Sequence, residues 1–168
     1  MNTLISLLRG INVGGHNVIR MEDLRAIYAG LKFRNVQTYV QSGNVVFQSA
    51  GPDPAEKIEA AIEKKYGFRP TVITRTAEEI EGVLARNPFP GAEPNRLIVT
   101  FCRTEPATRA VLELNEQMHL HGRELYIYYP NGQGKPNVPW TKIEKALGVP
   151  GTGRNWNTVN KLLEMAKA

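Results

Sequence analysis

The chain carries one cysteine, Cys102, in 168 residues. A single thiol closes no internal disulfide, so the fold is not a disulfide scaffold and a reducing, cytoplasmic setting is expected. No stretch approaches the roughly 20 apolar residues of a membrane helix, so no membrane partner is expected. The N-terminus, MNTLISLLRG, lacks a basic n-region and a small-residue cleavage site, and no secretory signal is read there. Dense runs of lysine and arginine are missing as well, which argues against a dedicated nucleic-acid binder. Yet the net charge is +5, and a basic chain favours an anionic partner. The three histidines have no cysteine or carboxylate at metal-ligand spacing, and neither a metal nor a cofactor is expected. Apolar residues make up 42% of the sequence, enough for a sizeable core and too many for disorder.

The most informative stretch is LISLLRGINVGGHNVIRMEDL, Leu4 to Leu24. Leu4 to Leu8 is nearly all apolar, as in a strand covered on both faces. A loop follows with Arg9, Asn12, His16 and Asn17 set among Gly10, Gly14 and Gly15. Leu24, Ile27, Tyr28 and Leu31 then recur at the spacing of one buried helical stripe, and Gly30 is expected to close that helix as a left-handed C′ residue. Val36 to Gln41 reads as a strand, Ser42-Gly43 as a tight turn, and Asn44 to Gln48 as the returning strand. Asp53 is expected to cap a second helix with Pro54 at its first position, and Gly67 to end it. Thr71 to Thr74 reads as a fourth strand.

This order, β-α-β-β-α-β, is the split βαβ or ferredoxin-like unit within an α+β class. A right-handed crossover makes the first two strands parallel. The glycine loop and the Ser42-Gly43 turn are then expected at the same end of the sheet.

The second half repeats the alternation less cleanly. Thr76 to Glu79 is a capping-box pattern opening a short helix through Ile80, Val83 and Leu84. Asn87-Pro88-Phe89-Pro90-Gly91 breaks it and marks the expected boundary, with a first half of 1–87 and a second, smaller α/β half of 92–168. Leu97 to Cys102 reads as a strand, and Pro106 as the opening of a helix holding Val111, Leu112 and Met118, with His119 and His121 at its end. Glu124 to Tyr129 reads as a strand and 130–139 as a polar loop. Trp140, Ile143 and Leu147 mark a helix stopped by Gly148. Asn155 to Ala166 is the last helix, with Val159, Leu162 and Leu163 inward, and the C-terminal helices are expected to pack back on the first half.

The candidate site gathers Arg9, Asn12, Gly14, Gly15, His16, Gln41, Ser42 and Asn44. Glycines between a strand and a helix offer backbone N–H groups to a phosphate. The loop matches neither Walker A nor the dinucleotide fingerprint, and its glycines also suit a plain turn. Arg9 suits either an internal carboxylate or an oxyanion clamp. Gln41 and Asn44 suit either loop bracing or ligand contact. Arg154 and Asn155 precede the last helix, where an anion and a cap compete for the same N–H groups; Trp156 beside them suits core or ring stacking. Three functions follow as expectations. The first is binding of a phosphate-bearing small molecule or a nucleic-acid backbone. The second is a scaffold or interaction module with no ligand. The third is a metal-independent enzyme using His16 as general acid or base, with Ser42 as nucleophile. Cys102, mid-strand, reads as a small buried hydrophobe.

LLRGINVGG, TYVQSGNVVF and GRNWNTVNKLLEMA together resemble the family catalogued as domain of unknown function 1697. The resemblance spans essentially the whole chain. It implies a bacterial α/β protein with ferredoxin-like plaits and carries no established biochemical role. The sequence departs from the family pattern at Gly134 to Trp140, where GKPNVPW stands in place of a basic residue with Ser-Lys-Leu; Lys135 keeps a charge nearby.

Overall fold

The computed structural model describes residues 1–106, 117–133 and 138–168. In it β1 (Asn2–Leu8) is central to a four-stranded antiparallel sheet. β3 (Asn44–Ser49) pairs one edge of it and β4 (Val72–Thr76) the other, while β2 (Arg34–Tyr39) pairs β3 from outside. The resulting order is β2-β3-β1-β4. Strand alternation divides β1 into two faces. Leu4 and Leu8 join Val45, Phe47 and Val72 in a core with Leu24 and Tyr28 of α1 (Met21–Gly30) and Ile58 and Ile62 of α2 (Ala55–Tyr66). Ile5, Leu7, Val46 and Ile73 on the other face are buried too. Each such side chain contributes roughly 1.5–3 kcal/mol by leaving water. Ser6, facing the helices, is buried and shares a 2.6 Å hydrogen bond with the Tyr28 hydroxyl.

Local endings differ from expectation in instructive places. Gly30 is the last residue of α1 and not its left-handed cap. That role falls to Lys32, at φ 69. Its N–H reaches Ala29 O, and Phe33 N–H reaches Tyr28 O, the paired bonds of a Schellman ending. Phe33 closes the motif by lying edge-on to Tyr28, 5.9 Å between centroids. β2 ends at Tyr39, so the hairpin turn is the four residues Val40 to Gly43 and not Ser42-Gly43 alone. α2 begins at Ala55, one residue later than read, with the Asp53 carboxylate accepting Ala55 N–H at 3.0 Å. Gly67 does end it, at φ 81. The capping box forms as read: Glu79 N–H donates to Thr76 Oγ1 and Thr76 N–H to Glu79 Oε1 at the start of α3 (Ala77–Ala85).

A second antiparallel sheet contains β5 (Leu97–Cys102), β6 (Met118–His121), β7 (Glu124–Tyr128) and β8 (Gly151–Asn155) in the order β6-β7-β5-β8. With the strands counted from β5, that is the order of the first sheet. Cys102, Met118, Leu125 and Ile127 pack there with Ile143 and Leu147 of α4 (Trp140–Leu147). Met118, His119 and His121 lie in a strand and not at a helix end. β8 was not foreseen, because Gly-Thr-Gly-Arg-Asn has little strand propensity. Its glycines are there for close approach: a Cβ on Gly151 would sit 3.0 Å from Thr100 Cγ2, and one on Gly153 3.1 Å from Ile98 Cγ2. The helix expected after Pro106, with Val111 and Leu112, and Lys135 in the polar loop lie outside the described residues.

The last helix is α5 (Trp156–Lys167). The chain divides into two compact units, residues 1–80 with 162–168 and residues 81–161. The division falls within α3, upstream of the proline-rich 87–91 segment, and again within α5. Among the described residues, no helix is long and apolar enough to cross a membrane.

Candidate functional site

Crossover handedness places the glycine loop and the hairpin turn at one end of the first sheet, and there they meet. Leu8 N–H donates to Gly43 O at 2.8 Å. Gly43, at φ 89, has no room for a side chain, since a Cβ would lie 2.8 Å from Leu8 Cβ. The stronger tie is Asn12. Its Nδ2 donates to Gln41 O at 2.9 Å and to Ile19 O at 3.0 Å, and its Oδ1 accepts Ile19 N–H at 2.8 Å. One amide thus fastens the loop to itself and to the hairpin. At roughly 0.5–1.5 kcal/mol net for each bond, this is a substantial local brace. Ile19, which supplies two of the three partners, was not singled out from sequence; no side-chain chemistry announces a backbone partner.

Within the loop, Asn12 N–H donates to Asn17 O, and Asn17 Nδ2 to Gly10 O. His16 N–H reaches Val13 O at 2.9 Å, closing a two-residue turn over Gly14 and Gly15. Both glycines have positive φ, 57° and 77°, as a type I′ hairpin turn requires. The segment is therefore a small braced hairpin and not an open coil. Its tip, Val13 to Val18, is exposed. Val13, Val18 and Val40 of the adjoining turn are three of the four exposed large hydrophobic residues described.

The expected site residues at this sheet end differ in role and exposure. Asn12 and Asn44 are braces: Asn44 is fully buried, and its Nδ2 donates to Tyr39 O and Ser42 Oγ across the turn. Gly14, Gly15, His16, Gln41 and Ser42 are exposed at the same sheet end. Arg9 is half-buried where β1 leaves the sheet, and its N–H donates to Thr71 O. Among the described residues the His16 ring makes no hydrogen bond or ion pair, to Ser42, Arg9 or any other side chain.

Arg154 and Asn155 belong to the other unit. Arg154 is not at an open helix end as expected; it is buried in β8, with Nη1 donating to Thr152 Oγ1 at 2.7 Å and Gly153 O at 2.9 Å. Burial strips water from the guanidinium and draws its pKa down to about 10. Asn155 caps α5, its Oδ1 accepting Thr158 N–H at 2.9 Å. Trp156 is half-buried against Tyr126, 6.4 Å between ring centroids. Tyr126 itself donates to Val83 O and is pushed up to about 12, chiefly by burial. Among the described residues, no group of three or more His, Cys, Asp and Glu side chains is placed to hold a metal ion.

No curated protein matches the chain. A solved structure, that of a conserved bacterial protein from Streptococcus pneumoniae, superposes with a TM-score of 0.69 at 24% identity over 98% of each chain; at that identity the likeness speaks for the fold. The sequence profile described as "Protein of unknown function (DUF1697)" matches residues 1–126, which take in the glycine loop and the hairpin tied to it. The chain belongs to the domain of unknown function 1697 family.

Proposed function

We propose that the protein binds the phosphate of a nucleotide or nucleic-acid backbone at the exposed tip of the glycine hairpin. One observation carries this reading. The Gly14 and Gly15 N–H groups meet no acceptor among the described residues, on a loop already fixed by Asn12 and Asn17. Such donors are hydrated when free and cost little to redirect to an anion. His16 follows them directly, Gln41 is tied to the same loop through Asn12, and the chain as a whole is basic. The strand order supports reading each sheet as part of a ferredoxin-like plait, and the lone buried Cys102 supports a reducing, cytoplasmic setting.

The test is an amide-resolved titration with probes that carry no purine: inorganic triphosphate and a thymidine-only oligonucleotide. The Gly14, Gly15, His16 and Gln41 amides should move first, and the affinity should fall as salt rises. His16→Ala should weaken binding without changing thermal stability. Silence of these amides toward both probes defeats the proposal and leaves the loop as a structural brace.

A further inference from the structure

A groove of about 460 Å³ opens in the first unit beside the outer strand β2. Thr3, Asn35, Gln37, Val46 and Gln48 line it from the sheet, and Met165 from the last turn of α5. The register pairs Gln37 with Val46 and Thr3 with Gln48. Cross-strand partners share a face, so these four residues lie on the sheet face opposite α1 and α2. A bulge between Arg34 and Gln37 breaks the alternation and holds Asn35 at φ 52. From there Asn35 Nδ2 donates to Gln48 Oε1 at 2.7 Å.

Two amides joined in this way leave Asn35 Oδ1 as an acceptor and Gln48 Nε2 as a donor. The Gln37 amide and the Thr3 hydroxyl have no side-chain partner among the described residues. No charged side chain lines the groove.

We propose that this groove binds the adenine base of a nucleoside. Adenine presents an amino donor beside a ring-nitrogen acceptor, the complement of the edge that an Asn or Gln amide offers. Guanine is read by Arg or Lys, and no such side chain lines the groove. The Met165 thioether gives a polarisable surface for the ring. The volume falls in the range of small-molecule sites, about 300–1,000 Å³. The bulge re-aims Asn35 as bulges beside sites do.

The experiment titrates the labelled full chain with adenosine, guanosine, cytidine and nicotinamide. Adenosine should move the amides of Thr3, Asn35, Gln37 and Gln48 and bind roughly ten-fold more tightly than the other nucleosides. Gln37→Leu, at an exposed position, should weaken adenosine about ten-fold at unchanged melting temperature. Asn35→Gly, which relieves the backbone and removes the amide, serves as the second variant and should do the same. The proposal is overturned if adenosine leaves those amides unmoved, if nicotinamide binds as well as adenosine, or if both variants bind adenosine like the parent. Adenosine carries no phosphate and the probes for the glycine hairpin carry no purine, so failure at one site is distinguishable from failure at the other.

Discussion

Arg75 and Arg154 hold the same place in two different sheets. Arg75 sits opposite Ile5 of β1, and Arg154 opposite Val99 of β5. Each is buried, and each donates Nη1 to the carbonyl of the residue before it at 2.9 Å. The next residue in each case, Thr76 or Asn155, caps the helix that follows by accepting the N–H three residues on. The correspondence extends through the register: Ser6 matches Thr100, opposite Thr74 and Gly153. One strand-to-helix corner is thus built twice in one chain, with different residues.

Equivalent corners should respond alike. Thr76→Ala and Asn155→Ala each remove a helix cap, and each should cost about 1 kcal/mol. Chemical denaturation of the two single variants measures both losses. A loss of several kcal/mol at one corner and none at the other would mean that the shared geometry hides unequal roles.

The ending of α1 makes a prediction whose sign depends on which residue is left-handed. Gly30 is helical, and a Cβ there would meet nothing within 4 Å. Gly30→Ala should therefore stabilise by about 0.5–1 kcal/mol. Lys32 carries the positive φ, so Lys32→Gly should relieve strain and gain up to about 1 kcal/mol. If Gly30 were the cap, Gly30→Ala would lower the melting temperature.

These two residues also mark the reach of sequence reasoning. A glycine after a helical stripe signals a C′ cap, and at Gly67 and Gly148 that signal agrees with the structure. At Gly30 it does not, because Phe33 packs on Tyr28 only if the chain turns two residues later. The Thr76 box and the meeting of the two loops were legible, the first from spacing and the second from crossover handedness. β8 was not legible: its glycines answer to the neighbouring strand β5 and not to local propensity. For the same reason Arg154 was assigned to an exposed helix end. The polar groove beside β2 gave no signal, since a bulge is invisible until the partner strand is known.

Glycines of the candidate site should separate by space. Gly15 has positive φ but nothing within 4 Å of a Cβ. Gly15→Ala should cost only the backbone term, about 1–2 kcal/mol. Gly43→Ala adds a clash with Leu8 Cβ at 2.8 Å and Leu8 O at 3.0 Å, and should cost about 3 kcal/mol or more. Equal melting temperatures for the two variants would mean that the hairpin can pull away from β1 freely.

Stability should fall at alkaline pH. Burial raises the Tyr28 and Tyr126 phenols, the latter up to about 12. Unfolded tyrosine ionises near 10. Above that the unfolded chain releases protons that the native chain keeps, so stability is full below about pH 10 and is lost as pH rises towards 12. Tyr126 accounts for about 2 kcal/mol of this. Arg154, drawn down to about 10, acts in the opposite sense, but two tyrosines outweigh it. Urea midpoints from pH 9 to 12 should show the decline, and Tyr126→Phe should make it shallower.

Asn12 decides whether the candidate site is preformed. Its amide holds Ile19 and Gln41 by three hydrogen bonds while its own backbone sits at φ 54. Asn12→Ala loses the bonds and keeps the strained backbone, and should cost about 2–3 kcal/mol. Asn12→Gly relieves the backbone alone and should recover about 1 kcal/mol of that. Hydrogen exchange separates the local consequence from the global one. In both variants the Ile19 amide should exchange faster than the β1 amides, because the loop has come loose from the hairpin while the sheet stays closed. Anion binding at Gly14 and Gly15 should weaken in both, even in Asn12→Gly, where stability is partly restored. Binding that followed stability instead would show that the brace serves the fold and that the tip needs no fixed geometry to hold a phosphate.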